Sequence, residues 1–254
     1  VGAASSTFAN ESGLAISFTD VEKRFGSQVA LRRLSLEIIP GEFIALVGAN
    51  GSGKTTLLRI AALLSRPTSG KVEFQNAIPN SGELIPAEIK LRIGMVGHFT
   101  MLYDELSAEE NLRFFAKFYG LNDAAQITAE ALIPAGLASR AKDLVRTFSR
   151  GMRQRLAIAR ALLAKPSMLL LDEPAAGLDR EGAGWLASTL HNLRKSGATV
   201  IMSSHGQSEA LTLATRAIAM RNGAIVEDSG KNGDARSIIE REAAPIAGIW
   251  DSAR

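Results

Sequence analysis

The sequence predicts an α/β fold with a buried sheet core and an inserted helical subdomain. Three observations point to it. The stretch FIALVGANGSGKTTLL, Phe43 to Leu58, reads as strand, glycine loop and helix. A second unbroken apolar run, Ser167 to Leu171, ends in the carboxylates Asp172 and Glu173. Between them, residues 106–165 turn mostly helical in pattern, with strands dominating before and alternating with helices after.

Taken in order, Leu14 to Asp20 alternates apolar and polar side chains, the period of a half-exposed strand. Val21 to Gln28, charged and containing Phe25, reads as a loop, and Leu34 to Ile39 as a second strand closed by the Pro40-Gly41 turn. Phe43 to Val47 shows no alternation, which suits a parallel strand buried on both faces. Leu57, Leu58, Ile60, Ala61 and Leu64 then recur with helical spacing. Pro67 to Gly70 is a turn, Lys71 to Gln75 an edge strand, and residues 76–90 are loop-like. Leu91 to Val96 is a strand running into Gly97, His98 and Phe99. Ser107 opens a helix with Glu110 three residues on, a capping box, and further helices are expected over 124–133 and 151–164. Past the acidic strand come a helix from Arg180 to Lys195, a strand from Ala198 to Ser203 and a short helix from Gln207 to Ala214. Residues 217–221 and 224–228 flank Asn222-Gly223 as a hairpin. The expected organisation is a disordered leader over 1–13, one domain over 14–230 with its helical subdomain at about 99–165, and a tail over 231–254 that begins as a helix.

The glycine loop is the most specific signal. Gly48, Gly51 and Gly53 with Lys54 and Thr55 fit the spacing G-x-x-x-x-G-K-[ST], flanked by the strand and helix this motif requires. A chance match in a chain of this length has a probability on the order of one per cent. Glycines let successive N–H groups converge on a phosphate, and the helix N-terminus adds a favourable dipole. The candidate nucleotide-binding stretch is therefore Gly48, Asn50, Gly51, Ser52, Gly53, Lys54, Thr55 and Thr56. Within it Lys54 supplies a mobile positive charge to the phosphates and the Thr55 hydroxyl is placed for Mg²⁺. Asp172 would hold that Mg²⁺, and Glu173 would orient and deprotonate an attacking water. Taken alone, these two acids suit a solvated strand end equally well.

Composition narrows the remaining classes. At 254 residues, 46% apolar and 22% charged, the chain is that of a globular domain with a substantial core. Zero cysteines exclude disulfides and thiolate metal sites, and His98, His191 and His205 leave little material for zinc. No run of about 18 apolar residues is present, and the start VGAASSTFANESG lacks a secretory pattern. The net charge of +3 is compatible with a membrane-surface or nucleotide partner and argues for neither.

Upstream of the acids, Thr147 to Leu163 reads TFSRGMRQRLAIARALL, and Asp179 and His205 follow downstream. With these motifs the chain resembles the ATP-binding subunits of ABC transporters from roughly Leu14 to Gly230. The resemblance implies the α/β P-loop NTPase fold of ABC ATPases, with a mixed-sheet core, an N-terminal antiparallel β subdomain and the inserted helical subdomain, and with ATP and Mg²⁺ as ligands. Phe148 to Met152 matches the family signature L-S-G-G-Q, so Ser149 and Gly151 would hold the γ-phosphate of the nucleotide bound by a partner subunit. Ala176 to Asp179 would be the D-loop, His205 the switch histidine contacting the γ-phosphate, and Phe25 the aromatic under adenine; Phe25 also suits a packing anchor. Arg150, Met152 and Phe148 depart from the signature, and His98 stands where the family usually has the Q-loop glutamine. That histidine, within GHFTMLYDELSAEENLRFFAKFYG, is similar to the haem-exporter ATPases of cytochrome c maturation, a likeness that drug and polysaccharide exporters share in part. The resemblance further implies a homodimer or heterodimer of ATPase subunits, an integral membrane permease as partner, no nucleic acid, and a peripheral location at the cytoplasmic face of the inner membrane. The arginine-rich face of the signature helix suits a solvated surface better than nucleic acid. A soluble ABC ATPase without a permease is the alternative class.

Overall fold

The computed structural model describes residues 13–76, 86–204, 209–231 and 233–243. Two long strands, β1 (Leu14–Phe25) and β2 (Gln28–Ile38), form an antiparallel hairpin. The expected loop at Val21 is strand instead. Register shifts after Phe18 and a left-handed Asp20, φ 48°, re-phase the strand without ending its pairing, so the alternation breaks while the ladder continues. The Asp20 N–H donates to Ser35 Oγ across that irregularity.

The core strand β3 (Phe43–Val47) is buried throughout and feeds α1 (Lys54–Ala61). Strand β4 (Ser69–Asn76) then pairs with β1 to complete a sheet of order β2-β1-β4. The segment read as loop contains a short helix, α2 (Pro86–Leu91), so β5 begins later than expected (Ile93–Val96). Helix α3 (Ala108–Phe118) starts with the expected capping box between Ser107 and Glu110, and α4 (Ala124–Leu132) and α5 (Arg150–Leu162) follow. The acidic strand β6 (Met168–Asp172), α6 (Arg180–Lys195), β7 (Thr199–Ser204), a 3₁₀ turn (Glu209–Leu213), the hairpin of β8 (Arg216–Arg221) and β9 (Ala224–Asp228), and α7 (Ala235–Ala243) complete the order.

The second sheet has the order β5-β6-β7-β3-β8-β9, parallel except for the last pair. Its two faces explain why β3 lacks alternation. Ile44 and Leu46 join Leu31, Leu58 and Ile218 beneath the three-stranded sheet and α1, whereas Phe43, Ala45 and Val47 join Leu171, Leu186 and Ile239 beneath the helices. Residues of α3, α4 and α5 pack their own cluster around Leu112, Leu132 and Leu156. Helix α5 reaches the sheet at Gly94, where a β-carbon would lie 2.6 Å from the Ala161 carbonyl oxygen.

One buried ionic knot ties the two sheets together. Arg216 on β8 donates to both Asp228 carboxylate oxygens at 2.8 and 2.6 Å, to the Glu37 carbonyl of β2 at 2.9 Å and to Glu42 at 3.3 Å. The hydrogen bond from Arg216, aided by the Gly230 N–H, holds the Asp228 carboxyl below its ordinary pKa against the opposing effect of burial. A carboxyl with a depressed folded-state pKa stabilises the fold above its unfolded value and loses that contribution as pH falls through the folded value. Asp228→Asn is therefore expected to lower the melting temperature at neutral pH and to flatten its fall as pH drops below the ordinary aspartate value, as measured by calorimetric melts from neutral into acid pH.

Candidate functional site

Strand order and polarity create the site. Strands β5, β6, β7 and β3 are adjacent and parallel, so their C-terminal ends open onto one edge of the sheet. Ligands of open α/β sheets bind at that edge. The register pairs Asp172 with Ser203 and Val47 with Ser204. The glycine loop after Val47, the acids at the end of β6 and His98 two residues beyond β5 are thus brought to a common edge. His205 lies outside the described residues.

Within the loop, Lys54 is 5% exposed, and its ammonium donates to the Gly48 carbonyl at 2.6 Å and the Ala49 carbonyl at 3.0 Å. Burial pushes its pKa down, while Glu173 and Asp172 push it back up, so the cation sits in the field of both acids. The Ser52 hydroxyl is buried without a hydrogen-bond partner. An orphaned donor in a ring of glycines fits a ligand rich in acceptor oxygens. Gly48, φ 137°, has no room for a side chain, because a β-carbon would stand 2.2 Å from the Met220 carbonyl oxygen. Gly53, φ 108°, is likewise pressed by Ala30 and Leu31 of β2. The loop is held from below by the β8–β9 turn, whose Gly223 N–H donates to the Ser52 carbonyl at 3.0 Å. Asn50, Gly51 and Thr55 face solvent.

The acids are fixed by a residue that sequence reasoning missed. Ser203 on β7 donates its hydroxyl to Asp172 Oδ1 at 2.6 Å and accepts the Glu173 N–H at 3.0 Å. One hydroxyl thus spends its donor on a buried carboxylate and an acceptor site on the next backbone amide. Glu173 is left-handed, φ 53°, a conformation costing about 1–3 kcal/mol that persists only where its surroundings enforce it. The polar pair ending the apolar run ATVIMSS was the available sequence signal.

Among the described residues no cluster of three or more His, Cys, Asp or Glu could hold a metal alone. Mg²⁺ does not require such a cluster, since it takes one or two protein oxygens and fills its shell with phosphate and water. The Thr55 hydroxyl and the Asp172 carboxylate fit that role.

The other expected residues lie on separate elements. Ser149 is the exposed N-cap of α5, its Oγ accepting the Met152 N–H at 3.2 Å. Gly151 lies against Gly177, with room for a β-carbon only 3.1 Å from the Gly177 carbonyl oxygen. Among the described residues neither is hydrogen-bonded to the glycine loop. Asp179 caps α6 through the Gly182 N–H at 2.8 Å. Phe25 ends β1, 54% exposed, with Lys23 Nζ 4.9 Å from its ring centroid. His98 is exposed and meets Phe99 edge to face at 5.5 Å.

The sequence profile of the ABC transporter family matches residues 31–176. Relatives include the Nod factor export ATP-binding protein I of Cupriavidus metallidurans, 38% identical over 75% of this chain and 63% of its own length. The ABC transporter ATP-binding protein NatA of Bacillus subtilis is 36% identical over 83% of this chain and 87% of its own. The bacitracin transport ATP-binding protein BcrA of Bacillus licheniformis is 38% identical over 84% and 69% respectively. Among solved structures, the dimeric bacterial ABC transporter cassette MJ0796 superposes with a TM-score of 0.77 at 29% identity, covering 86% of this chain and 99% of that one. The same cassette in a post-hydrolysis state bound to ADP and Pi gives a TM-score of 0.75. A phosphate cradle and an acid pair on one edge of a mixed sheet, together with these matches, mean that the chain belongs to the ABC transporter family, as its ATP-binding and ATP-hydrolysing subunit.

Proposed function

We propose that this chain powers an exporter, with two copies, or one copy and a paralogue, enclosing two Mg·ATP molecules and driving a separate integral membrane permease. The observation that carries this reading is the division of the site. Lys54, Asp172 and Glu173 share one sheet edge, while Ser149 at the N-terminus of α5 is exposed and makes no hydrogen bond to its own glycine loop among the described residues. A helix N-terminus with no acidic residue in its first turn suits an anion supplied from outside the chain.

In this reading the loop N–H groups and Lys54 bind the β- and γ-phosphates, and Phe25 stacks on adenine. Thr55 and Asp172 hold Mg²⁺, which when bound supplies Lewis-acid polarisation of the phosphoryl oxygens. Glu173 accepts a proton from water as its oxygen attacks Pγ, and the bond to the β-phosphate bridging oxygen breaks to release ADP. Ser149 and Gly151 hold the γ-phosphate of the partner's nucleotide, Asp179 lies at the dimer interface, and His205 contacts the γ-phosphate. Loss of that phosphate removes the bridging contacts and opens the dimer.

Among the described residues no helix is long and apolar enough to cross a membrane. The exposed Phe99 against His98, together with the exposed aromatics of α3, supports permease docking on this part of the chain, and a chain so docked would be peripheral at the cytoplasmic face of the inner membrane. Phe99 is 82% and Phe118 73% exposed, and Tyr103 packs on Phe114 at 5.2 Å. An exporter is favoured because two of the relatives named above are a Nod factor export protein and a bacitracin transport protein. Haem as cargo rests on the Gly97-His98 segment alone and has no counterpart among those relatives.

The test uses the Glu173→Gln chain in saturating Mg·ATP. It is expected to elute at twice the monomer mass, and the added substitution Ser149→Phe is expected to return it to monomer. A Glu173→Gln chain that stays monomeric would sink the sandwich. Nucleic acid or ribosomes retained in place of a membrane protein would move the chain to the soluble class.

A further inference from the structure

Helix α5 does more than present Ser149. Its leading face grips the segment that follows Glu173 at three points. Gln154, 8% exposed, donates its side-chain N–H to the Pro174 carbonyl at 3.1 Å, one residue past the left-handed Glu173. Gly151, a turn earlier, lies against the Gly177 carbonyl. Arg150 lays its side chain across Gly177 itself, so that a β-carbon there would come within 2.6 Å of Arg150 Cδ and 2.8 Å of its Nε. Positions 150, 151 and 154 fall on one helix face, as three- and four-residue spacing requires. On its other side the same acid segment is tied to β7 by the Glu173 N–H bond to Ser203.

From this geometry we infer that Gln154 and Arg150 are positioning residues that make α5 a rigid lever between Ser149 and Glu173 of one chain. The helix is closely packed at its base against Gly94, so a small displacement of its N-terminus is passed on to the 173–179 segment instead of being absorbed. Resting on the proposed sandwich, Arg150 and Gln154 are the groups through which a γ-phosphate that the partner seats on Ser149 sets this chain's own Glu173 in place. Arg150 stands where the family signature has a glycine, so this grip on Gly177 is a feature of this chain's own signature segment.

The experiment measures steady-state ATPase of the full chain with Gln154→Met, which keeps volume and removes the donor, and with Arg150→Gly. Gln154→Met is expected to lower kcat roughly ten- to a hundredfold while ATP KM stays within about twofold, the signature of a misplaced acid rather than a lost binding contact. Arg150→Gly, an exposed change that leaves folding intact, is expected to bring the Hill coefficient for ATP toward one with little loss of affinity, and Arg150→Lys, which keeps a stem over Gly177, to restore it. Wild-type kcat in Gln154→Met overturns the inference, as does an unchanged Hill coefficient in Arg150→Gly. So does a rise of KM in step with the fall of kcat. Dimer formation by Glu173→Gln is measured alongside: if it fails, the sandwich falls by itself, while the kcat and KM of Gln154→Met still decide whether α5 places Glu173. Should Gln154→Met melt well below the wild type, Gln154→His, which keeps an N–H donor, replaces it and is expected to retain more kcat than Gln154→Glu, which has none at neutral pH.

Discussion

Glu173→Gln is expected to cut kcat for ATP by about 10²–10⁴-fold, the range for removing a positioned general base, with ATP affinity unchanged. The amide preserves shape and leaves the Glu173 N–H bond to Ser203 and the Asp172 carboxylate undisturbed, so the loss reports proton acceptance and not a collapsed site. Measurement is by phosphate release over a range of ATP concentrations, with nucleotide affinity taken separately by calorimetry. Turnover at the native rate would remove Glu173 from its assigned role and leave the water to be activated by another group on the same sheet edge.

Lys54→Ala is expected to remove nucleotide-dependent stabilisation and to lower kcat/KM by at least about 10²–10³-fold, as when a preorganised charge facing a phosphoryl group is lost. Lys54 is the buried cation of the glycine loop, and its desolvation is unfavourable to the empty fold, as the downward displacement of its pKa shows. A bound triphosphate would offset that cost. Wild-type protein at Mg·ATP a hundredfold above Kd gains about 2.7 kcal/mol, read as an upward Tm shift, and Lys54→Ala is expected to show no shift at the same concentration. The nucleotide-free melting temperature serves as the control, since Gly48 and Ala49 also lose the ammonium that binds their carbonyls. An equal thermal shift in both proteins would place the phosphates away from this loop.

Elements built from local signals were legible before the structure. The strand–glycine loop–helix at β3 and α1, the Ser107 capping box and the Asn222-Gly223 hairpin each depend on a few neighbouring residues, and each stands as read. Strand β1 was cut short in the reading because a bulge at Asp20 interrupts alternation without interrupting pairing, and pairing is decided by Ser35 and Leu34 on the opposite strand. Helix α2 was missed because six residues with a single acid in the first turn offer too little periodicity to detect. At the site, the acids and the lysine were named from sequence, whereas Ser203 and Gln154 were not. Both act on residues 20 or more positions away, with separations of 31 from Ser203 to Asp172 and 20 from Gln154 to Pro174.

By itself the sequence determined that a glycine loop joins a buried strand to a helix and that two carboxylates end a second buried strand, because loop spacing and unbroken apolar runs follow from backbone geometry within a few residues. Only the tertiary structure decided that β7 lies between β6 and β3, which is what puts the Ser203 hydroxyl between Asp172 and Glu173, and that α5 closes over Gly177. Strand order and helix docking are set by how distant apolar faces share one core, and no local pattern encodes that choice.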